Sequence, residues 1–161
     1  MIFMSQSGLT DPSRQQDWDA WYIEHLRIMR TVPGISSAQR FKTASAEYPP
    51  SLAMYTLASA DVFQDPYYLS VRGMGEWKPL IDPSHYRRNL FDGMDVTPHV
   101  NHGQLLIVAD RAEPDSSLPL TWLSSVALDK STPLRGIAVV EPGRSNEFES
   151  RGVGIYVPMM E

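Results

Sequence analysis

The segment DWDAWYIEHLRIMRTVPGISSAQRF (residues 17–41) decides the fold that the sequence predicts. Its apolar residues recur at positions 18, 21, 22, 25, 26, 29 and 32, which cover an arc of about 140° on a helix. The charged residues Asp19, Glu24 and Arg27 fall outside that arc. A Pro33-Gly34 pair ends the pattern, and a strand-like run follows over 35–43. The segment therefore predicts an amphipathic helix that packs on a sheet.

The flanking segments extend this pattern to the order β-α-β-β-α-β. A short apolar run, IFMSQSGL, precedes the helix, and SLAMYTLAS (51–59) forms a second strand-like run after it. The next helical stretch is interrupted by Pro66 and by the glycines of RGMGEW (72–77), and HYRRNLFDGM (85–94) is again typical of a strand. Residues 1–97 therefore predict a ferredoxin-like βαββαβ domain of the α+β class.

Residues 98–161 have a different pattern. Four strand candidates, GQLLIVAD, TWLSSVALD, RGIAVVE and GVGIYVPM, are separated by turn-rich segments without helical periodicity. They are either a β-rich extension, which covers the first sheet or joins that of a partner, or a degenerate second half-domain that has lost its helices. We slightly favour the extension, because no sequence repeat relates the two parts.

Composition excludes several classes of function. The 161 residues are 42% hydrophobic, which suits one compact domain with or without an appendage, and the net charge of −5 disfavours nucleic acid as a partner. No apolar run reaches the roughly 18 residues of a membrane-spanning helix. The chain has no cysteine, so disulfides and thiolate chemistry are excluded. We expect a soluble cytoplasmic protein with no membrane association.

A resemblance to a known superfamily rests on residues of the first helix and the strand after it. The matching residues are the W-Y-x-x-H motif of Trp21, Tyr22 and His25, then Pro33-Gly34, then Arg40-Phe41. Over about residues 1–95 this order resembles the dimeric α+β barrel superfamily, particularly its EthD-like branch. The resemblance implies a homodimer whose two sheets form a barrel, with a small-molecule pocket between sheet and helices in each subunit. An uncovered apolar sheet face predicts the same dimer on physical grounds.

His25 and Tyr22 are the first candidate catalytic residues. Both lie on the apolar stripe of the helix, three positions apart, so the phenol should be next to the imidazole. A desolvated imidazole is neutral and can act as a base, with the phenol polarising a substrate oxygen. The alternative is that both side chains only pack in the core, as aromatic residues at helical spacing usually do.

A second candidate cluster begins the strand at residue 85. Alternation places His85 on one face of the strand and Tyr86 and Arg88 on the other, and one face should approach the pocket. We predict His85 as a third catalytic residue and Arg88 as an anchor for a substrate oxyanion. The alternative for Arg88, as for Arg87, is an exposed side chain that pairs with the surplus of Asp and Glu. Tyr86 and three tryptophans, Trp18, Trp21 and Trp77, complete the predicted substrate-binding set.

Two further polar pairs stand out in the sequence. His99 and His102 have a metal-like spacing, but no third ligand accompanies them, so we predict neither a metal site nor another cofactor. Asp129 and Arg135 flank a turn and predict an ion pair at the rim of the domain.

The function predicted from these residues is a cofactor-independent enzyme. His25 would act as general acid and base on a small apolar, aromatic or polyketide-like molecule, in a cyclase, isomerase or lyase type of reaction. Two alternatives stay open, namely a non-catalytic ligand-binding or stress-response-type protein and a cofactor-free oxygenase.

Overall fold

A computed structural model describes residues 1–160 of the chain. Its strands are β1 (Ile2–Ser7), β2 (Ile35–Lys42), β3 (Ser51–Leu57), β4 (Arg87–Asp92), β5 (Leu105–Arg111), β6 (Thr121–Leu128), β7 (Leu134–Val140) and β8 (Gly154–Pro158). The α-helices are α1 (Gln15–Met29) and α2 (Pro66–Val71), and short 3₁₀ helices lie at Pro12–Arg14, Ala60–Gln64, Gly75–Leu80 and Pro142–Glu147. None of the helices within residues 1–160 has the length and apolar character needed to cross a membrane.

The eight strands form one closed barrel in which each described strand pair is antiparallel. The order around the barrel is β1-β3-β2-β8-β5-β7-β6-β4. The first four strands are neighbours in the order β4-β1-β3-β2, and the last four repeat this order as β8-β5-β7-β6. Two seams join the halves. The β4–β6 seam pairs four residues of each strand, whereas the β2–β8 seam pairs only two.

The predicted fold class and the resemblance that supported it are wrong. We expected a ferredoxin-like α+β sheet that a second copy completes, but eight strands of one chain close the barrel. Strands β5 to β8 cover the face of β1 to β4 that was assigned to the partner, so the physical reason for predicting a homodimer disappears. The prediction failed because local periodicity identifies a strand without identifying its neighbour. The boundary placed near residue 97 lies between β4 and β5.

Helix α1 forms where the apolar stripe predicted it. Its buried residues are Trp18, Tyr22, His25, Leu26 and Met29, all from that stripe. The chain then turns at Gly34, whose φ of +90° is a left-handed conformation that glycine adopts readily. A Cβ atom there would lie 2.6 Å from Cγ2 of Val62. The turn therefore needs glycine for both its backbone conformation and its close approach to the 3₁₀ helix Ala60–Gln64.

The buried side chains form three clusters. Helices α1 and α2 pack on the outer face of the first four strands, through residues that include Phe3, Leu26 and Tyr55. A second cluster fills the barrel interior between the two halves. The outer face of the last four strands is covered by loop residues, among them Leu118 and Phe148. The helices thus cover only one half of the barrel, and a cleft lies on that side.

The barrel interior also contains a buried charge that the sequence did not predict. Arg135 is fully buried, and its Nε donates to Oδ1 of Asp110 at 2.7 Å. Its Nη2 donates to Oε1 of Gln6 at 2.9 Å. The predicted rim ion pair with Asp129 is therefore wrong, because β7 directs Arg135 into the barrel. Asp129 instead accepts a hydrogen bond from the backbone N–H of Arg88.

Candidate functional site

A small cavity lies between α1, α2 and the outer face of the first sheet half. It has a volume of about 20 Å³ and is lined by Phe3, Ser5, Tyr22, His25, Met29, Tyr55, Tyr68, Arg72, Gly73, Met74, Tyr86 and Arg88. A water molecule needs roughly 10–15 Å³ on this measure, so the cavity holds one or two water-sized groups. We call it the inner cavity.

A larger cleft lies next to the inner cavity. Its volume is about 600 Å³, and its lining residues are Leu69, Arg72, Gly73, Met74, Gly75, Lys78, Ile81, Pro83, Tyr86 and Arg88. Five of these also line the inner cavity, namely Arg72, Gly73, Met74, Tyr86 and Arg88. The volume is within the range of small-molecule sites in proteins. We call it the outer cleft, and it shares one wall with the inner cavity.

His25 lines the inner cavity with a neutral imidazole ring. The residue is 8% exposed, and its ring stacks on that of Trp21 with a centroid distance of 4.7 Å. Burial disfavours the charged imidazolium and lowers the pKa of His25 from 6.5 to about 4. Among residues 1–160, no group hydrogen-bonds its ring nitrogens. At neutral pH, His25 therefore has a free lone pair available to accept a proton.

Three phenols line the inner cavity together with the imidazole. Tyr22 meets His25 edge to face at a centroid distance of 5.6 Å, and Tyr55 and Tyr68 also line the inner cavity. Burial raises the pKa of all three hydroxyls, so they remain protonated hydrogen-bond donors. Arg88 donates from Nη2 to the hydroxyl oxygen of Tyr68 at 3.2 Å. The inner cavity thus combines one base with several donors.

Arg40 supports this arrangement from strand β2. Its Nη1 donates to Oδ1 of Asp19 at 2.8 Å, and its Nε donates to Oγ of Ser51 at 3.0 Å. The guanidinium carbon lies 4.1 Å from the ring centroid of Tyr22 and 4.7 Å from that of Trp18. Arg40, which lies near the end of β2, therefore fixes the position of the Tyr22 ring.

The structure brings together only part of the predicted site. His25, Tyr22, Tyr86 and Arg88 line the inner cavity, and Trp21 stacks on His25. Trp18 and Trp77 are core residues whose indole N–H groups have no hydrogen-bond partner within residues 1–160.

His85 lines neither space. The turn before β4 holds it, and its Nδ1 is 3.7 Å from Oδ2 of Asp82. The strand predicted from residue 85 begins only at Arg87, so strand alternation did not set the direction of His85.

The sequence patterns did not identify several of the lining residues. Tyr68 and Arg72 are four apart at the end of α2, a spacing that places them on one helix face. Ser5 and Tyr55 lie on β1 and β3, and strand alternation directs them with Phe3 toward the helices. Helical and strand periodicity could have found these four residues once the position of the cavity was known.

His99 and His102 line a different cavity of about 360 Å³, together with Met159 and Met160. Within residues 1–160, no three His, Asp or Glu side chains lie together as metal ligands.

Comparison with known proteins gives no assignment. A scan against protein-family profiles found no match, and a search of curated proteins found no significantly similar sequence. The EthD-like assignment and the lyase and isomerase labels taken from it are therefore wrong, and the barrel topology contradicts their basis.

Proposed function

We propose that the outer cleft binds a small organic molecule and that His25 moves a proton of that molecule without a cofactor. The observation that carries this proposal is a neutral, buried imidazole without a hydrogen-bond partner, in a cavity that shares five lining residues with the outer cleft. Such a base near three phenol donors and an arginine suits proton abstraction next to a carbonyl group.

The side chains divide this chemistry between them. The lone pair of His25 accepts the proton, and the negative charge that develops on the substrate oxygen is stabilised by Arg88 and by phenol hydroxyls. A positioned general base of this kind typically contributes about 10²- to 10⁴-fold to a rate. The size of the inner cavity limits entry to the reacting group, so the body of the substrate stays in the outer cleft.

Deuterium exchange tests the proposal without knowledge of the natural substrate. Aryl ketones and aryl-substituted 2-oxo acids are incubated with the protein in D₂O, and loss of their α-protons is followed by proton NMR. We expect exchange above the buffer rate with the native protein, and exchange about 10²-fold or more slower with His25→Asn. The matched control His99→Asn makes the same change in a segment remote from the cleft. Equal rates for native protein and His25→Asn would refute catalysis by His25.

A second candidate is a binding protein without chemistry. It is favoured by the lack of a group that orients His25, because catalytic histidines are usually held by a hydrogen bond at the other ring nitrogen. The same experiment separates the two functions. Probes that bind by calorimetry but exchange no faster than in buffer support the binding protein.

The cellular setting is part of the proposal. A chain without cysteine suits a reducing compartment, and we place the activity in the cytoplasm.

A further inference from the structure

The outer cleft is positively charged although the chain is acidic. Its lining includes Arg72, Lys78 and Arg88 and contains neither Asp nor Glu, whereas the chain as a whole has a net charge of −5. Within residues 1–160, none of these three cations forms an ion pair with a carboxylate. Several arginines elsewhere do form such pairs, as Arg40 does with Asp19 and Arg135 does with Asp110. Three unpaired cations around one cleft favour an anionic ligand.

Two of the cations converge on the phenol of Tyr68. Arg88 hydrogen-bonds its hydroxyl, and the charges of Arg88 and Arg72 oppose the rise of its pKa that burial causes. Both arginines line the inner cavity as well as the outer cleft. An oxyanion between them would therefore lie beside a phenol donor, within reach of guanidinium groups that bind carboxylate or phosphate with two parallel hydrogen bonds.

The backbone of the same wall has a conformation that suits an anion. Gly73 and Gly75 have φ angles of +91° and +55°, and Met74 between them is right-handed. Alternating left- and right-handed residues are the geometry in which successive N–H groups form an anion-binding concavity. Gly73 and Met74 line both spaces, and Gly75 lines the outer cleft. The glycines of RGMGEW therefore allow a backbone conformation that suits an anion, in addition to ending a helix.

The rest of the outer cleft is apolar. Leu69 is 52% exposed and Tyr86 is 37% exposed, and Ile81 and Pro83 extend this surface. Exposed apolar side chains next to a charged wall suit a ligand with both characters.

We propose that the ligand of the outer cleft is a small amphiphilic anion, an apolar body that bears one carboxylate or phosphate group. Arg72, Lys78 and Arg88 hold the oxyanion, and the apolar body packs on Leu69 and Tyr86. This inference rests on the proposed function, because it names the ligand class of the same site.

Calorimetric titration with three naphthalene probes tests the ligand class. 2-Naphthoate and 2-naphthyl phosphate carry the two forms of oxyanion, and 2-naphthamide is the neutral counterpart of the first. We expect both anions to bind at least about tenfold more tightly than the amide, as one charge-assisted hydrogen bond predicts. We also expect their affinity to fall between 50 and 500 mM NaCl, as the roughly threefold shorter screening length requires. Equal affinity of naphthoate and naphthamide, or no binding of either anion, would overturn the inference.

Charge-removing variants locate the anion. Arg88→Gln should weaken naphthoate binding about tenfold and leave naphthamide unchanged. Lys78→Gln should act in the same direction and serves if Arg88→Gln does not fold, because Lys78 is exposed. Arg87→Gln is the matched control, since Arg87 is the neighbour of Arg88 on β4 and lines neither space. A loss in Arg87→Gln as large as that in Arg88→Gln or Lys78→Gln would contradict the assignment.

The catalytic proposal fails or succeeds separately. His25→Asn should retain naphthoate affinity, because the oxyanion lies on the arginine side of the site. Selective anion binding without His25-dependent exchange would refute catalysis by His25 and support the anionic ligand class. Exchange that depends on His25 but shows no preference for anionic probes would support catalysis and refute the anionic ligand class.

Discussion

Replacement of His25 by phenylalanine should change how the stability of the protein depends on pH. The folded state lowers the pKa of His25 from 6.5 to about 4, because burial disfavours the imidazolium. Between these values the unfolded chain binds a proton at this site that the folded chain does not bind. The contribution of His25 therefore destabilises the fold as pH falls below about 6.5, and it reaches its limit below about 4.

The size of this effect follows from the two pKa values. A tenfold change in proton affinity corresponds to about 1.4 kcal/mol, so the cost at low pH is on the order of 3 kcal/mol and the cost at pH 5 is about 2 kcal/mol. His25→Phe keeps an aromatic ring to stack on Trp21 and has nothing to titrate. We expect the difference in the free energy of unfolding between the variant and the native protein to shift by about 2 kcal/mol from pH 7.5 to pH 5, in favour of the variant.

Urea denaturation at a series of pH values measures this difference, because titration of the carboxylates is common to both proteins and cancels. His99→Phe is the control, since its side chain lies at the surface in another cavity. A constant difference between native protein and His25→Phe across this pH range would refute the burial of a neutral imidazole, and with it the base in the proposed mechanism.

Three further predictions concern the framework of the barrel. Arg135→Met leaves the carboxylate of Asp110 without its partner, so thermal or urea unfolding should show a loss of about 3 kcal/mol, and an unchanged midpoint would contradict a buried ion pair. Gly34→Ala forces a left-handed φ on alanine and places Cβ against Val62, so we expect a loss of about 1–3 kcal/mol in the same assay, whereas a neutral result would show that the turn can rearrange. The β2–β8 seam pairs two residues of each strand, so its amides should exchange hydrogen faster than those of the β5–β7 pair, and equal protection would argue against a weak seam.

Local structure was predictable where one period dominated the sequence. The apolar stripe of residues 18–32 identified α1 and its buried residues, because an amphipathic helix is determined by the spacing of its own side chains. The same stripe placed Tyr22 and His25 together facing the sheet, and both line the inner cavity. The order β-α-β-β-α-β of the first part also matches the elements along the chain.

Long-range pairing was not predictable in the same way. Strand β2 pairs with β3 on one side and with β8 on the other, and β8 is more than a hundred residues away along the chain. The composition of neither strand indicates that the two are neighbours. The sequence therefore left a second copy, an extension and a second half-domain as alternatives for covering the sheet, and the fold class was assigned wrongly.

Local spacing likewise predicted only some of the residues of the candidate site. Trp18 and Trp21 share the apolar stripe, but Arg40 from β2 covers Trp18 while Trp21 lies against His25. Tyr68 and Arg72 enter through α2, whose six residues are too short for a clear period. His85 was misplaced because β4 begins two residues later than the sequence pattern suggested. Contacts between elements, which no single segment encodes, thus separate the two tryptophans, whereas weak local signals account for Tyr68, Arg72 and His85.

The repeated strand order of the barrel has a consequence for ligand stoichiometry. Both halves have an outer face, but only the first is covered by α1 and α2, whereas Leu118, Phe148 and Val153 pack on the second. The barrel is thus symmetric in its strand order and asymmetric in its coverings. A titration with an anionic probe should saturate at one equivalent per 18.1 kDa chain, and two equivalents would mean that the second face opens as well.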